Sequence, residues 1–341
     1  MATLLEIENL KVHYQTEQGR VKANDGISLS IGENEVVGIA GESGCGKTTL
    51  IKCLLRLLPP RTQISADRMT FKGQELLAMK DREFRTQLQW NEISLVPQSA
   101  QNSLDPVYKV GDQIIEAIEA HTDMPRKAAR DRVAELFNIV GLQKSLTASY
   151  PHEFSGGMRQ RAMIAMALAL EPSLIVMDEP TTGLDVLVQE RIIRKLLEIR
   201  AQVKCSILLI THDISVIAEM SDRIGIMYAG RMMEIAEAEE MFDHPYHPYS
   251  LGLKNAFPSI KELDRELISI PGSPPNLIGD IPGCIFEKRC PFVDGQCETE
   301  RPAEEWITPQ HMVACHKTAD VEKLRLLAGE KSTWQSSKSA T

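Results

Sequence analysis

Residues Gly41 to Thr48 read GESGCGKT, a G-x4-G-K-T pattern. Its glycines let backbone N–H groups converge on one anion, Lys47 adds a point charge, and Thr48 offers a hydroxyl of the kind that ligates Mg²⁺. Such a loop is suited to holding nucleotide phosphates, with Gly41, Ser43, Gly44, Cys45, Gly46, Lys47, Thr48 and the following Thr49 as the candidate binding set. A second constellation is SLIVMDEP, Ser173 to Pro180, an apolar run ending in two acids. There Asp178 can orient Mg²⁺ through water, and Glu179 can accept a proton from an attacking water. The plainer alternative for two acids at a strand end is a solvated turn.

FSGGMRQR, Phe154 to Arg161, opens an apolar helix with Ser155, Gly156 and Gly157. Ser155 can be an ordinary N-cap, or the free N–H groups can face a nucleotide γ-phosphate. Gln98 and His212 each follow a strand-like run, a place where a lone polar residue is usually structural. Far along the chain stand Cys284, Cys290, Cys297 and Cys315, spaced Cys-x5-Cys-x6-Cys-x17-Cys. Zinc ribbons use close Cys-x2-Cys pairs, so zinc fits this spacing poorly. Loosely spaced thiolates with a proline after one of them, Pro291, suit a [4Fe–4S] cluster. Four unrelated thiols are the alternative.

These residues need elements to hold them. LLEIENLKVHY, VKANDGISLSI and EVVGIAG read as strands, the last running into the glycine loop. TTLIKCLLRLL then repeats apolar residues at helical spacing as far as Pro59 and Pro60. From about Ser99 to Tyr150, VGDQIIEAIEAH and KAARDRVAELFNIVGL predict a helical insert punctuated by Pro125 and Gly141. SLIVMD and CSILLIT return as strands around an amphipathic segment, the alternation of a parallel sheet. The fold class expected is α/β, with the helical insert (about 99–160) set into a unit of residues 1–240. A small loop-rich extension over 241–325 and a flexible tail over 326–341 complete the expected layout.

Composition sets outer bounds. Of the 341 residues, 43% are hydrophobic and 25% charged, as in ordinary globular proteins. A net charge of -9 argues against gripping a nucleic-acid backbone, so no nucleic-acid partner is expected. The longest apolar runs fall short of the roughly 20 residues of a membrane-spanning helix, and MATLLEIENLKVHY lacks the pattern of a secretory signal. A cytoplasmic location is therefore expected.

In order, Tyr14, GESGCGKT, Gln98, FSGGMRQR, SLIVMDEP, TTGLD and His212 resemble the ATPase subunits of ABC transporters over residues 1 to about 240. The resemblance implies a P-loop ATPase domain with a mixed-sheet core and an N-terminal antiparallel β part, ATP and Mg²⁺ as cofactors, and two ATPase subunits sandwiching two nucleotides. Tyr14 would stack on adenine, Gln98 would contact Mg²⁺ and sense the membrane subunit, and Glu179 would be the general base. Ser155, Gly156 and Gly157 would bind the partner's γ-phosphate, Asp185 would couple the two sites, and His212 would hold the transition-state phosphate. The signature departs from the common LSGGQ at Phe154 and Met158, with no expected loss of phosphate contacts.

HPYHPYSLGL, IPGSPPNL and CIFEKRCPF look like the C-terminal extension of the dipeptide and oligopeptide importer ATPases, extending the resemblance to about residue 320. It implies that the four cysteines ligate an iron–sulfur cluster, remote from hydrolysis, with His311 and His316 as weaker candidates. The implied partners are a second ATPase subunit, two transmembrane permeases at the cytoplasmic face of the membrane and, indirectly, an extracytoplasmic solute-binding protein. Family precedent favours a related but distinct ATPase chain over a homodimer. Relatives that import nickel chelates or oligosaccharides leave the solute open. A soluble ABC ATPase acting on ribosomes or DNA is a rival, though such chains usually carry two cassettes or long coiled coils. A P-loop kinase leaves FSGGMRQR and His212 unexplained.

Overall fold

A computed structural model of the chain describes residues 2–98, 102–256 and 267–335. Two compact units are formed, one of Met1–Glu6, Ser30–Val36 and Thr70–Thr211, the other of Ile7–Leu29, Val37–Met69 and His212–Thr341. The boundary expected near residue 240 falls inside the second unit. The expected start of the helical insert at residue 99 and the chain end, 336–341, lie outside the described residues.

In the first unit, strands Ile93–Val96, Leu174–Asp178 and Ser206–Ile210 lie side by side in parallel, with Ile93 opposite Leu174 and Asp178 opposite Ile210. Ile175, Val176, Leu208 and Leu209 are fully buried, so these strands are covered on both faces and read as unbroken apolar runs. Such a sheet places whatever follows its carboxyl ends at one edge, which is where Glu179 stands. The insert follows its sequence pattern closely. Helices Val110–His121 and Arg126–Ile139 bury Ile114 with Ile118 and Val133 with Phe137, one helical turn apart. Helix Gly156–Ala167 buries Ala162 through Ala165. Among the described residues, no helix is long and apolar enough to cross a membrane.

The second unit holds strands in the order Glu305–Thr308, His311–Val313, Arg231–Glu237, Arg223–Tyr228 and Val36–Ala40. Val37 to Ala40 pair in parallel with Arg223 to Ile226, while the remaining pairs are antiparallel, giving the expected mixed sheet. From the long strand Thr3–Thr16, Lys11 to His13 pair antiparallel with Gln63–Ser65. The helix after the glycine loop is shorter than its periodicity predicts: it spans Lys47–Leu54 and ends well before Pro59. Arg56 takes a left-handed φ of 54° and the Leu57 N–H returns to the Lys52 carbonyl at 2.7 Å, so a helix-closing backbone turn ends it first.

The extension is less loop-rich than expected, because His311–Val313 extends the sheet through Glu234 opposite Val313. Nor is its end a loose tail as far as Gln335. Helices Val321–Ala328 and Lys331–Gln335 form there, and Trp334 is buried with its indole N–H donating to the Ala328 carbonyl at 3.0 Å. The apolar bulk of one tryptophan outweighs a polar neighbourhood.

A buried polar knot fixes the HPYHPY segment to this sheet. The Glu234 carboxylate, 0% exposed, accepts from the Tyr246 N–H (2.7 Å) and the His247 N–H (2.9 Å), and lies 2.7 Å from His311 Nε2. His247 is also buried, and its Nδ1 accepts from the Tyr249 N–H at 3.0 Å, a role that requires a neutral ring. Burial pulls its pKa from the ordinary 6.5 down to about 4, against the opposing pull of Glu234. The unfolded chain therefore binds the extra proton first as the medium is acidified. Stability should be fully present above pH ~6.5 and fall progressively toward pH ~4, read as urea midpoints. His247→Gln should remove most of that slope; an equal slope in the variant would assign the acid sensitivity elsewhere.

Candidate functional site

The second unit carries the glycine loop between strand Val36–Ala40 and helix Lys47–Leu54. Gly46 has φ 104°, and a Cβ there would stand 2.3 Å from the Ala23 carbonyl oxygen, so only glycine fits this bend. Asn24 Nδ2 secures the same bend by donating to the Gly46 carbonyl at 3.1 Å. The Lys47 ammonium is buried against the loop and donates to the carbonyls of Gly41 (2.6 Å) and Glu42 (3.0 Å). Cys45 is buried, and burial pushes its thiol pKa up against the pull of the Lys47 charge. Ser43, Gly44 and Thr48 are exposed along the loop, while Thr49 lies with its hydroxyl 3.3 Å from the Tyr14 hydroxyl. Tyr14 thus meets the first turn of the phosphate-loop helix. His212, exposed, also belongs to this unit.

The first unit carries the acids. Asp178, buried, ends strand Leu174–Asp178, and Glu179 follows with a left-handed φ of 48°, a strained conformation for a non-glycine residue. The strain is held by the Glu179 N–H donating to the Ile210 carbonyl at 2.7 Å. Its carboxylate accepts from Gln98 Nε2 (2.9 Å) and from the Thr182 hydroxyl (2.8 Å). Gln98 and Glu179, named separately from sequence, are therefore hydrogen-bonded to one another. Thr182 was not singled out; its place in TTGLD was the available signal.

Ser155 is the N-cap of helix Gly156–Ala167, accepting from the Met158 N–H at 3.3 Å. Asp185 likewise caps helix Val186–Gln202 through the Val188 N–H at 3.0 Å. These two helix starts pack together: a Cβ on Gly157 would come within 2.5 Å of Val188 Cγ1. Gly157 thus lets the start of the signature helix and the start of helix Val186–Gln202 approach closely.

The four clustered cysteines share one neighbourhood in the second unit. The Cys284 N–H donates to the Cys297 carbonyl at 2.7 Å, and Cys284, Cys290 and Cys297 are buried with Cys315 half-buried. Burial is the main force raising all four thiols, Cys284 to about 11 and Cys315 to about 12, and neighbouring thiols add to the rise at Cys284, Cys290 and Cys315. Backbone N–H groups aim at the sulfurs two residues back, from Phe286 to Cys284, Phe292 to Cys290 and Lys317 to Cys315. Among the described residues, no three Cys, His, Asp or Glu side chains close on one point as a single metal ion requires. His311 Nε2 lies against the Glu234 carboxylate and His316 Nε2 against the Glu300 carbonyl.

A residue of the thiol block touches the phosphate loop. Arg289, between Cys284 and Cys290, places its guanidinium 2.8 Å from the Glu42 carboxylate, and Tyr249 Oη accepts from the Glu42 N–H at 3.2 Å. Sequence reading missed Glu42, Tyr249 and Arg289; a contact between positions 247 apart leaves no local pattern.

Residues 24–182 match the family model described as ABC transporter, and residues 233–297 match that of the oligopeptide/dipeptide transporter C-terminal region. The chain is 38% identical to the dipeptide transport ATP-binding protein DppD of Caldanaerobacter subterraneus subsp. tengcongensis, covering 93% of this chain and 97% of that one. It is 40% identical to the oligopeptide transport ATP-binding protein OppD of Salmonella typhimurium, over 93% and 94% respectively. Among solved structures, a dimeric bacterial ABC transporter cassette, MJ0796, superposes with a TM-score of 0.61 at 25% identity, covering 69% of this chain and 99% of that chain. The same cassette is also known in a post-hydrolysis state bound to ADP and Pi, with a TM-score of 0.60 at 25% identity and the same coverage. The near full-length likeness, spanning both the phosphate loop and the cysteine-bearing extension, means that the chain belongs to the ATP-binding subunits of dipeptide and oligopeptide ABC transporters.

Proposed function

We propose that this ATPase powers the import of di- or oligopeptides, working at the cytoplasmic face of the membrane with two permeases and a second, related ATPase subunit. The observation that carries this reading is the transporter-specific extension on the same chain as a complete set of phosphate-loop, signature and acidic residues. Backbone N–H groups of the glycine loop and Lys47 would hold the β- and γ-phosphates, and Thr48, Asp178 and Gln98, by the family resemblance, would be the residues serving a Mg²⁺ that neutralises phosphate charge. Glu179 takes the proton of the attacking water, and His212 holds the developing phosphate charge. Ser155, Gly156 and Gly157 present their N–H groups to the partner subunit's nucleotide, and Asp185 links the two sites. Tyr14 supplies the adenine platform. ATP binding closes the pair of subunits, and hydrolysis resets them.

Exposed Tyr108 of the helical insert lines a groove of about 550 Å³ together with Trp90, Gln113 and His121 among others. This surface suits a permease segment. The solute reading is tested by uptake of labelled dipeptides and oligopeptides in cells expressing the transporter; uptake of nickel chelates or sugars in place of peptides would overturn it.

The four thiols suit a [4Fe–4S] cluster, which would act as a structural staple. Their donor chemistry fits: four thiols grouped in one neighbourhood and met by backbone N–H groups, as thiolate ligands of such a cluster are. Protein purified without oxygen should carry about four irons and a broad absorption band near ~400 nm, with Cys290→Ser losing both. One zinc per chain would remove this assignment.

A further inference from the structure

We infer that Arg289 and Tyr249 are positioning residues for the phosphate loop, the two side chains by which the extension fixes and neutralises Glu42. The inference rests on the phosphate-binding reading of Gly41 to Thr48. Glu42 is held at three points. Its carbonyl accepts from the Lys47 ammonium, its N–H donates to Tyr249 Oη, and its carboxylate pairs with Arg289. Any shift of Glu42 therefore moves an acceptor that sets the place of Lys47.

The anchor is rigid. Arg289 is 5% exposed, and its Nε donates to the Pro271 carbonyl at 2.8 Å, with further bonds to the Ile270 carbonyl and the Tyr228 hydroxyl at 3.3 Å. Its guanidinium also lies over the Tyr228 ring, 5.5 Å from the centroid. Tyr228, Tyr249 and Phe286 pack against one another with centroids 4.8–5.2 Å apart, leaving the tyrosine at Glu42 little freedom. With so many fixed partners, the cation stays and Glu42 comes to it. There is also a charge argument. A carboxylate in a loop that binds a triphosphate repels its ligand, and the buried guanidinium cancels that repulsion.

The test is Mg²⁺-dependent binding of a fluorescent ATP analogue to the full chain. Arg289→Gln should raise Kd about tenfold and raise KM in parallel while leaving kcat within about twofold. Adding Glu42→Gln to that variant should recover most of the loss, because the exposed repulsion is gone. An unchanged Kd in Arg289→Gln, or a double variant as weak as the single, overturns the inference. If Arg289→Gln does not fold, Tyr249→Phe carries the test: loss of one hydroxyl should raise Kd about threefold, and no change overturns it. Lys47→Ala should abolish binding in the same assay. If it bound like the parent, the phosphate-loop reading itself would fall, and this inference with it.

Discussion

Replacing Glu179 by Gln should lower ATP hydrolysis by about 10²- to 10⁴-fold while leaving ATP binding intact. On the proposed mechanism the substitution removes the base while keeping the two side-chain hydrogen bonds described above. Gln98 Nε2 and the Thr182 hydroxyl can both donate to the remaining amide oxygen, as they do to the carboxylate, and the backbone bond to the Ile210 carbonyl does not involve the side chain. The left-handed φ of 48° is equally unaffected, so the strained geometry that aims the side chain survives. Nucleotide should therefore still bind, and the closed ATP-bound pair of subunits should accumulate because the resetting step is blocked. Steady-state phosphate release, analogue binding and particle size on a sizing column separate these effects. A residual rate within tenfold of the parent would show that another group takes the proton. Loss of binding along with hydrolysis would mean that Glu179 is holding structure, as its two side-chain bonds allow.

What the sequence revealed in advance were features whose physics is local. A phosphate loop works through consecutive backbone N–H groups, so its glycines announce it, and the contact that excludes any Cβ at Gly46 is the structural counterpart of that signal. Asp178 and Glu179 were visible because an unbroken apolar run ends on them: Asp178 closes the buried strand and Glu179 follows it, half-buried. Helix Val110–His121 ended where its pattern ended. The helix after the loop did not, because Arg56 adopts a conformation usually left to glycine and gives no compositional warning. Trp334 was likewise hidden by polar neighbours, since one large side chain can fix a terminus that composition marks as loose. The cysteines could be grouped by spacing, but nothing in their spacing places Arg289 against Glu42. Long-range ion pairs are set by tertiary packing, and a single sequence carries no periodicity for them.

Glu234→Ala should cost about 3–5 kcal/mol of unfolding free energy, the largest stability loss expected of any single change discussed above. The carboxylate is wholly buried and is the acceptor for two backbone N–H groups, with His311 alongside. Truncation leaves the Tyr246 and His247 N–H groups with no visible replacement and opens a void beneath the HPYHPY segment. His311→Ala should cost less, because Glu234 keeps both backbone donors. Urea unfolding with linear extrapolation measures both, and a Glu234→Ala loss under about 1 kcal/mol would show that water or a neighbour satisfies the orphaned groups. The consequence reaches the nucleotide. Tyr249 lies two residues beyond His247, whose ring accepts the Tyr249 N–H, so loosening this knot also loosens the hydroxyl that meets the Glu42 N–H. ATP affinity should then weaken in Glu234→Ala at temperatures where the protein is still folded, although Glu234 belongs to neither the phosphate loop nor the acids. Unchanged affinity beside a large stability loss would confine the knot to holding the extension in place and separate it from the loop's support.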